Sequence, residues 1–145
     1  MPSIREEILL DCTPEGAFAE VSSIDFAKKV GLSSGINNEV LFQNERIIRF
    51  YFKVKLGNSL RSIESERILI PENLTIITQR RNLFSAKYNV IIDFFKKHET
   101  GTIMTHIDEF DDKFINNNEA LINISNTTKT YMDKITKYFQ NNISL

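Results

Sequence analysis

The sequence has one cysteine, no tryptophan, few glycines and prolines and no long hydrophobic run. Each shortage closes off a class of protein. Cys12 stands alone, so neither an internal disulfide framework nor a cysteine-rich zinc site is available. No stretch approaches the ~18 apolar residues of a membrane-spanning helix. The N-terminal Met1-Pro2-Ser3-Ile4-Arg5-Glu6-Glu7 carries charges where a secretory leader needs an apolar run. A cytoplasmic protein without an integral membrane segment is expected. Nor is there charge of one sign: 18 Lys and Arg face 19 Asp and Glu. That balance argues against a broad electrostatic footprint for nucleic acid, and no nucleic-acid partner is expected. The doublets Lys28-Lys29, Arg80-Arg81 and Lys96-Lys97 read as solvated faces. His98 and His106 with scattered carboxylates give no metal-ligand spacing. Phosphate loops, nucleophile elbows and dinucleotide fingerprints are all missing, so no metal and no cofactor are expected.

What is present is a good core. At 145 residues the chain reads as one domain, residues 1–145, able to bury about 70% of the surface it exposes unfolded. Eleven phenylalanines supply aromatic volume that makes no hydrogen-bond demand.

Ile4 to Leu10 reads as a strand. Thr13-Pro14-Glu15 then opens a helix, with Thr13 as cap, Pro14 in the first helical position and Glu15 complementing the dipole. Ser23 caps a second short helix running through Val30, which Gly31 and Ser33-Ser34-Gly35 end. A long β region follows. Val40 to Phe42 is one strand, and from Arg46 the chain alternates, with Ile48, Phe50, Phe52 and Val54 on one face. Gly57-Asn58 is a hairpin signal. Ser59 to Ile70, Leu74 to Arg81, Ala86 to Lys97 and Thr102 to Phe110 complete the strands. In the third of these, Tyr88, Val90, Ile92 and Phe94 share the face expected to be the floor of a groove. Last comes a helix of about seven turns, which Asn117 can cap. Its stripe of Leu121, Ile124, Thr128, Tyr131, Ile135 and Tyr138, in steps of three and four, needs a broad apolar partner. The concave face of the sheet is the candidate.

This order of elements resembles the START/Bet v 1-like (SRPBCC) superfamily, and within it the polyketide cyclase/dehydrase group. The stretches that carry the likeness are Ile8-Leu9-Leu10-Asp11-Cys12-Thr13-Pro14-Glu15-Gly16-Ala17-Phe18, Glu66-Arg67-Ile68-Leu69-Ile70-Pro71, and Phe94 to Thr105 around His98-Glu99-Thr100-Gly101. The resemblance implies an α+β helix-grip fold: a curved antiparallel sheet of about seven strands around a long C-terminal helix, with two short helices after the first strand. It also implies a cavity between sheet and helix for a hydrophobic small molecule. The function implied is that of a polyketide cyclase, aromatase or dehydratase, a lyase-type activity, or else of a non-catalytic carrier of a lipid, quinone or other metabolite. Monomer and homodimer both stay open.

The site candidates follow from strand faces. Arg61, Ile63, Ser65 and Arg67 share one face, so Arg67 points inward if Ile63 does. By resemblance to aromatase/cyclases Arg67 would orient ketone or enolate oxygens. The alternative is a surface arginine paired with Glu64 or Glu66. His106 goes inward with Met104, where it would act as a general base, or outward if the more apolar pair Ile103 and Ile107 is buried. Tyr88 is the third catalytic candidate. Phe50, Phe52, Ile63, Ser65, Val90, Ile92, Phe94, Met104, Leu121, Ile124, Thr128, Tyr131 and Ile135 are the expected ligand contacts.

Overall fold

The computed structural model describes residues 3–31, 38–56, 59–83, 86–111 and 118–141. Seven strands, β1 (Ser3–Leu10), β2 (Glu39–Gln43), β3 (Ile47–Leu56), β4 (Ser59–Ile70), β5 (Thr75–Leu83), β6 (Ala86–His98) and β7 (Gly101–Phe110), form one antiparallel sheet. Their order across it is β1-β7-β6-β5-β4-β3-β2. Two short helices, α1 (Pro14–Ser22) and α2 (Phe26–Lys29), follow β1, and α3 (Asn118–Asn141) closes the chain.

The local signals act as expected at α1. Thr13 Oγ1 accepts a hydrogen bond from the Gly16 amide at 3.1 Å, and Pro14 occupies the first turn. Ser23 behaves differently. Its hydroxyl accepts from the Asp25 amide at 3.3 Å, a local turn that delays the second helix to a single turn at Phe26. The expected Gly57-Asn58 hairpin, the Asn117 cap and Ser33-Ser34-Gly35 lie outside the described residues. Gly101 is required by close approach, since a Cβ there would stand 2.2 Å from the Leu10 carbonyl oxygen.

One end of the groove is filled. Leu10, Ala17, Val21, Phe26, Ile76, Phe95, Met104, Met132, Ile135 and Phe139 pack into one buried cluster that joins the sheet, α1, α2 and the C-terminal half of α3. Phe26 stacks edge-on to Tyr138 at 5.5 Å and against Phe139 at 6.1 Å. Towards the other end of α3, Leu121 and Ile124 pack on Ile4 and Phe110. The stripe of α3 is therefore as expected, but its most buried members include Met132 and Phe139, which the periodicity had left out.

One strand face corrects the expectation, and a second decides a choice left open. On β6 the buried residues are Asn89, Ile91, Asp93 and Phe95, so Val90, Ile92 and Phe94 lie on the outer face and are no groove floor. On β7 Thr102, Met104, His106, Asp108 and Phe110 are buried, and Ile103 and Ile107 are turned outward. In both strands the face that went in carries charged or amide side chains, Asn89 and Asp93 on β6 and His106 and Asp108 on β7. The reason is that those polar groups meet partners across the sheet, as the site shows.

Candidate ligand site

Sheet register arranges the inner face in rows. One row runs Leu69, Ile76, Asp93, His106, Glu6. The next runs Ile48, Arg67, Thr78, Ile91, Asp108, Ile4. A third runs Phe50, Ser65, Arg80, Asn89, Phe110. A polar band thus crosses the middle of the sheet's inner face, beside the packed cluster of Leu10, Phe95 and Met104.

At the centre of the band His106 Nδ1 lies 2.5 Å from Asp93 Oδ1, and both side chains are nearly sealed from solvent, at 5% and 11% exposure. Burial works against the imidazolium. Asp93, by charge and by hydrogen bond, and Asp108 outweigh burial and the opposing Arg80, so the His106 pKa is raised. Tyr131 comes down from α3 with its ring edge-on to His106 at 6.1 Å. Burial, and then Asp93, hold its phenol protonated. Beside them Asn89 donates to the Asp108 carboxylate, and also to the Glu109 carbonyl at 3.0 Å. Burial pushes the Asp108 carboxyl upward all the same.

Arg67 points inward, and it is tied to the frame. Nε donates to Thr78 Oγ1 at 3.2 Å, while Nη1 donates to the Ser22 and Ser23 carbonyls at 3.0 and 3.2 Å. Those are end carbonyls of α1, where a cation also meets the helix dipole favourably. Its guanidinium lies 5.6 Å from the centre of the Phe50 ring. Glu66, one expected partner of a surface Arg67, instead pairs with Arg49 at 2.8 Å on the outer face. Burial lowers the Arg67 pKa but leaves a guanidinium charged.

Arg80 corrects the reading of its doublet as a solvated face. It stands on the inner row between Ser65 and Asn89 and interacts electrostatically with Arg67, Asp108, Tyr131 and Asp93.

The structure therefore brings Arg67, His106 and Tyr131 into one band, flanked by the buried Phe50, Ile63, Ser65 and Thr128. Met104 and Ile135, expected as ligand contacts, are wholly buried in the packed floor because α1 and α2 fill that end. The side chains of Tyr88 and Phe52 lie outside the described residues. Two surface concavities lie elsewhere. One, of about 240 Å³, is lined by outer-face residues such as Arg49, Glu66 and Arg81; the other, of about 260 Å³, lies beside Lys29, Lys134 and Tyr138. Among the described residues no cluster suited to a metal ion occurs, and no helix is long and apolar enough to cross a membrane.

Sequence reasoning missed Arg80, Asn89, Asp93 and Asp108. A period-two polar signal was there to be read: Thr78 and Arg80, Asn89 and Asp93, and His106 and Asp108 each share a face.

No family model and no curated relative matches the sequence. Solved structures do. The Zhui aromatase/cyclase from Streptomyces sp. R1128 superposes with a TM-score of 0.76 at 8% identity, covering 98% of this chain and 95% of that one. Ara h 8.0201 gives 0.74 at 11% identity, with coverage of 97% and 99%. Norcoclaurine synthase from Thalictrum flavum gives 0.70 at 14% identity, with coverage of 94% and 84%. Such identities speak for the fold alone, and with the seven-stranded sheet gripping α3 they establish that this chain has the α+β helix-grip fold of the START/Bet v 1-like (SRPBCC) proteins.

Proposed function

We propose that the protein binds a small hydrophobic molecule bearing ketone or hydroxyl oxygens in the groove, and acts on it as a cyclase or dehydratase of the polyketide type. The observation that carries this reading is the buried His106–Asp93 pair in a band with Tyr131 and Arg67. A core needs no such band, because buried ion pairs stabilise poorly compared with apolar packing. Perturbed ionisable groups gathered in a groove are more often there for chemistry. The aromatase/cyclase among the similar structures is consistent with it.

The expected role of His106 changes in this reading. With Asp93 beside it the charged imidazolium is favoured, so it acts first as an acid rather than a base. In dehydration of a β-hydroxy ketone, Asp108 takes the α-proton and an enolate forms. The C–O bond then breaks, and the hydroxyl leaves as water with the proton of His106. Asp108 suits the task because burial raises its basicity. Arg67 stands by the developing oxyanion.

The test is the dehydration of 4-hydroxy-4-phenylbutan-2-one to its enone, followed by absorbance. Wild type should accelerate it, and His106→Gln should lower the rate by about 100-fold, the lower end of what one acid–base group supplies. Acceleration unchanged in His106→Gln, or absent in wild type, overturns the catalytic reading. A second reading, a carrier without turnover, is favoured by Arg67, whose Nε and Nη1 already serve Thr78 and the end of α1.

A further inference from the structure

We propose that the concavity between α2 and α3 is a binding site for a phosphate monoester, separate from the groove and independent of the chemistry proposed there.

The concavity measures about 260 Å³ and is lined by Lys29, Val30, Lys134, Lys137, Tyr138 and Asn141. One wall is the end of α2. The other is a single side of α3, where Lys134, Lys137, Tyr138 and Asn141 follow the three-and-four spacing of helix neighbours. Lys134 Nζ donates to the Gly31 carbonyl at 3.1 Å and ties the two walls together. Among the described residues no carboxylate lines the concavity. Glu20 acts on it from α1, accepting from Lys29 at 3.3 Å and from the Tyr138 phenol. Asp133 stands one turn before Lys137 but is no part of the lining. With Glu20 set against Lys29, the charges of Lys134 and Lys137 remain in surplus.

The helix dipole does not explain that surplus. Cations are favoured in the last turn of a helix, and the last turn of α3 holds none. Two like charges one turn apart on a helix repel one another. Around a concavity they add to one field that gathers an anion. A phosphate monoester fits this field better than a carboxylate does. At pH 8 it carries about two negative charges, because its second pKa is about 6. Lysine meets phosphate as a point charge, whereas planar pairing with a carboxylate favours arginine. Asn141 adds an amide donor, and Val30 with the Tyr138 ring offers a wall to a small apolar group.

The test titrates the protein with phenyl phosphate, and with benzoate as the singly charged comparison, following backbone amide shifts by NMR at pH 8 and constant ionic strength. Phenyl phosphate should bind saturably and at least 10-fold more tightly than benzoate. Lys137→Gln, at an exposed position, should weaken it by about 10-fold, the scale of one hydrogen bond to a charged group. Lys96→Gln removes the same charge from the outer face of β6 and should leave the affinity unchanged. Phosphatidylcholine vesicles containing phosphatidic acid then locate the monoester. Vesicles that bind wild type and release Lys137→Gln make it a lipid headgroup; vesicles that bind neither, beside phenyl phosphate that binds, make it a free phosphate ester. Either result supports the site. No saturable binding of phenyl phosphate, benzoate binding as tightly, or a Lys137→Gln effect no larger than that of Lys96→Gln overturns it and leaves the groove reading untouched.

Discussion

Asp93→Ala is expected to cost about 3–5 kcal/mol of stability at pH 6, read as a lower urea midpoint at unchanged slope. The pair it breaks is among the most buried ionic contacts described, His106 Nδ1 to Asp93 Oδ1 at 2.5 Å. Removing the carboxylate leaves an imidazole without the charge and the acceptor that keep it protonated. The cost is therefore that of an uncompensated buried group rather than the net worth of the pair. It follows that Asp93→Ala combined with His106→Phe should be far less damaging than the sum of the two single changes. The pH dependence has a definite sign. The folded-state pKa of His106 lies above the 6.5 of the free side chain. Its protonation therefore contributes stability in full below pH 6.5, and that contribution fades as pH rises through the folded value. The gap between wild type and Asp93→Ala should shrink accordingly on the alkaline side. A double variant as unstable as the summed singles contradicts this account of the pair.

Phe26→Ala should be about as damaging, roughly 3–5 kcal/mol. Phe26 is 1% exposed, although its helix is one turn long. It lies where α2, α3 and the sheet meet, against Tyr138 and Phe139. The surrounding side chains come from three elements, so the space left by the ring cannot close without shifting one of them. Ile122→Ala, on the 59%-exposed side of the same α3, should change stability by no more than about 0.5 kcal/mol. Similar losses for the two in urea denaturation would mean that the floor of the groove is not packed as described.

The strands and helices were legible where apolar and polar residues alternate cleanly. On β3, Ile48 and Phe50 are buried while Arg49 is exposed, as the pattern required. The three-four spacing on α3 likewise gave Thr128 and Ile135. The reading failed on β6, where both faces hold apolar side chains and apolar content favoured Val90, Ile92 and Phe94. The face that won carries Asn89 and Asp93, because their partners on β7 stand 19 and 13 residues away and pair only once the sheet forms. A local window sees the cost of burying such groups and not the groups that satisfy them. The same blindness left Arg80 in a surface doublet and the inner face of β7 open between Met104 with His106 and Ile103 with Ile107. For Arg67 the phase with Ile63 gave the inward orientation as one of two alternatives. Its ties to Ser22 and Ser23, 45 and 44 residues away, were not legible.

At the centre of the inner face stands a histidine whose pKa a buried carboxylate raises, His106 against Asp93. The most direct test of that pairing is an NMR titration of the imidazole resonances, simplified by there being only two histidines and assigned with His98→Gln. The account predicts that His106 titrates above 6.5 in the folded protein and that Asp93→Asn lowers its pKa. A His106 that titrates below 6.5, or that keeps its pKa in Asp93→Asn, would contradict it.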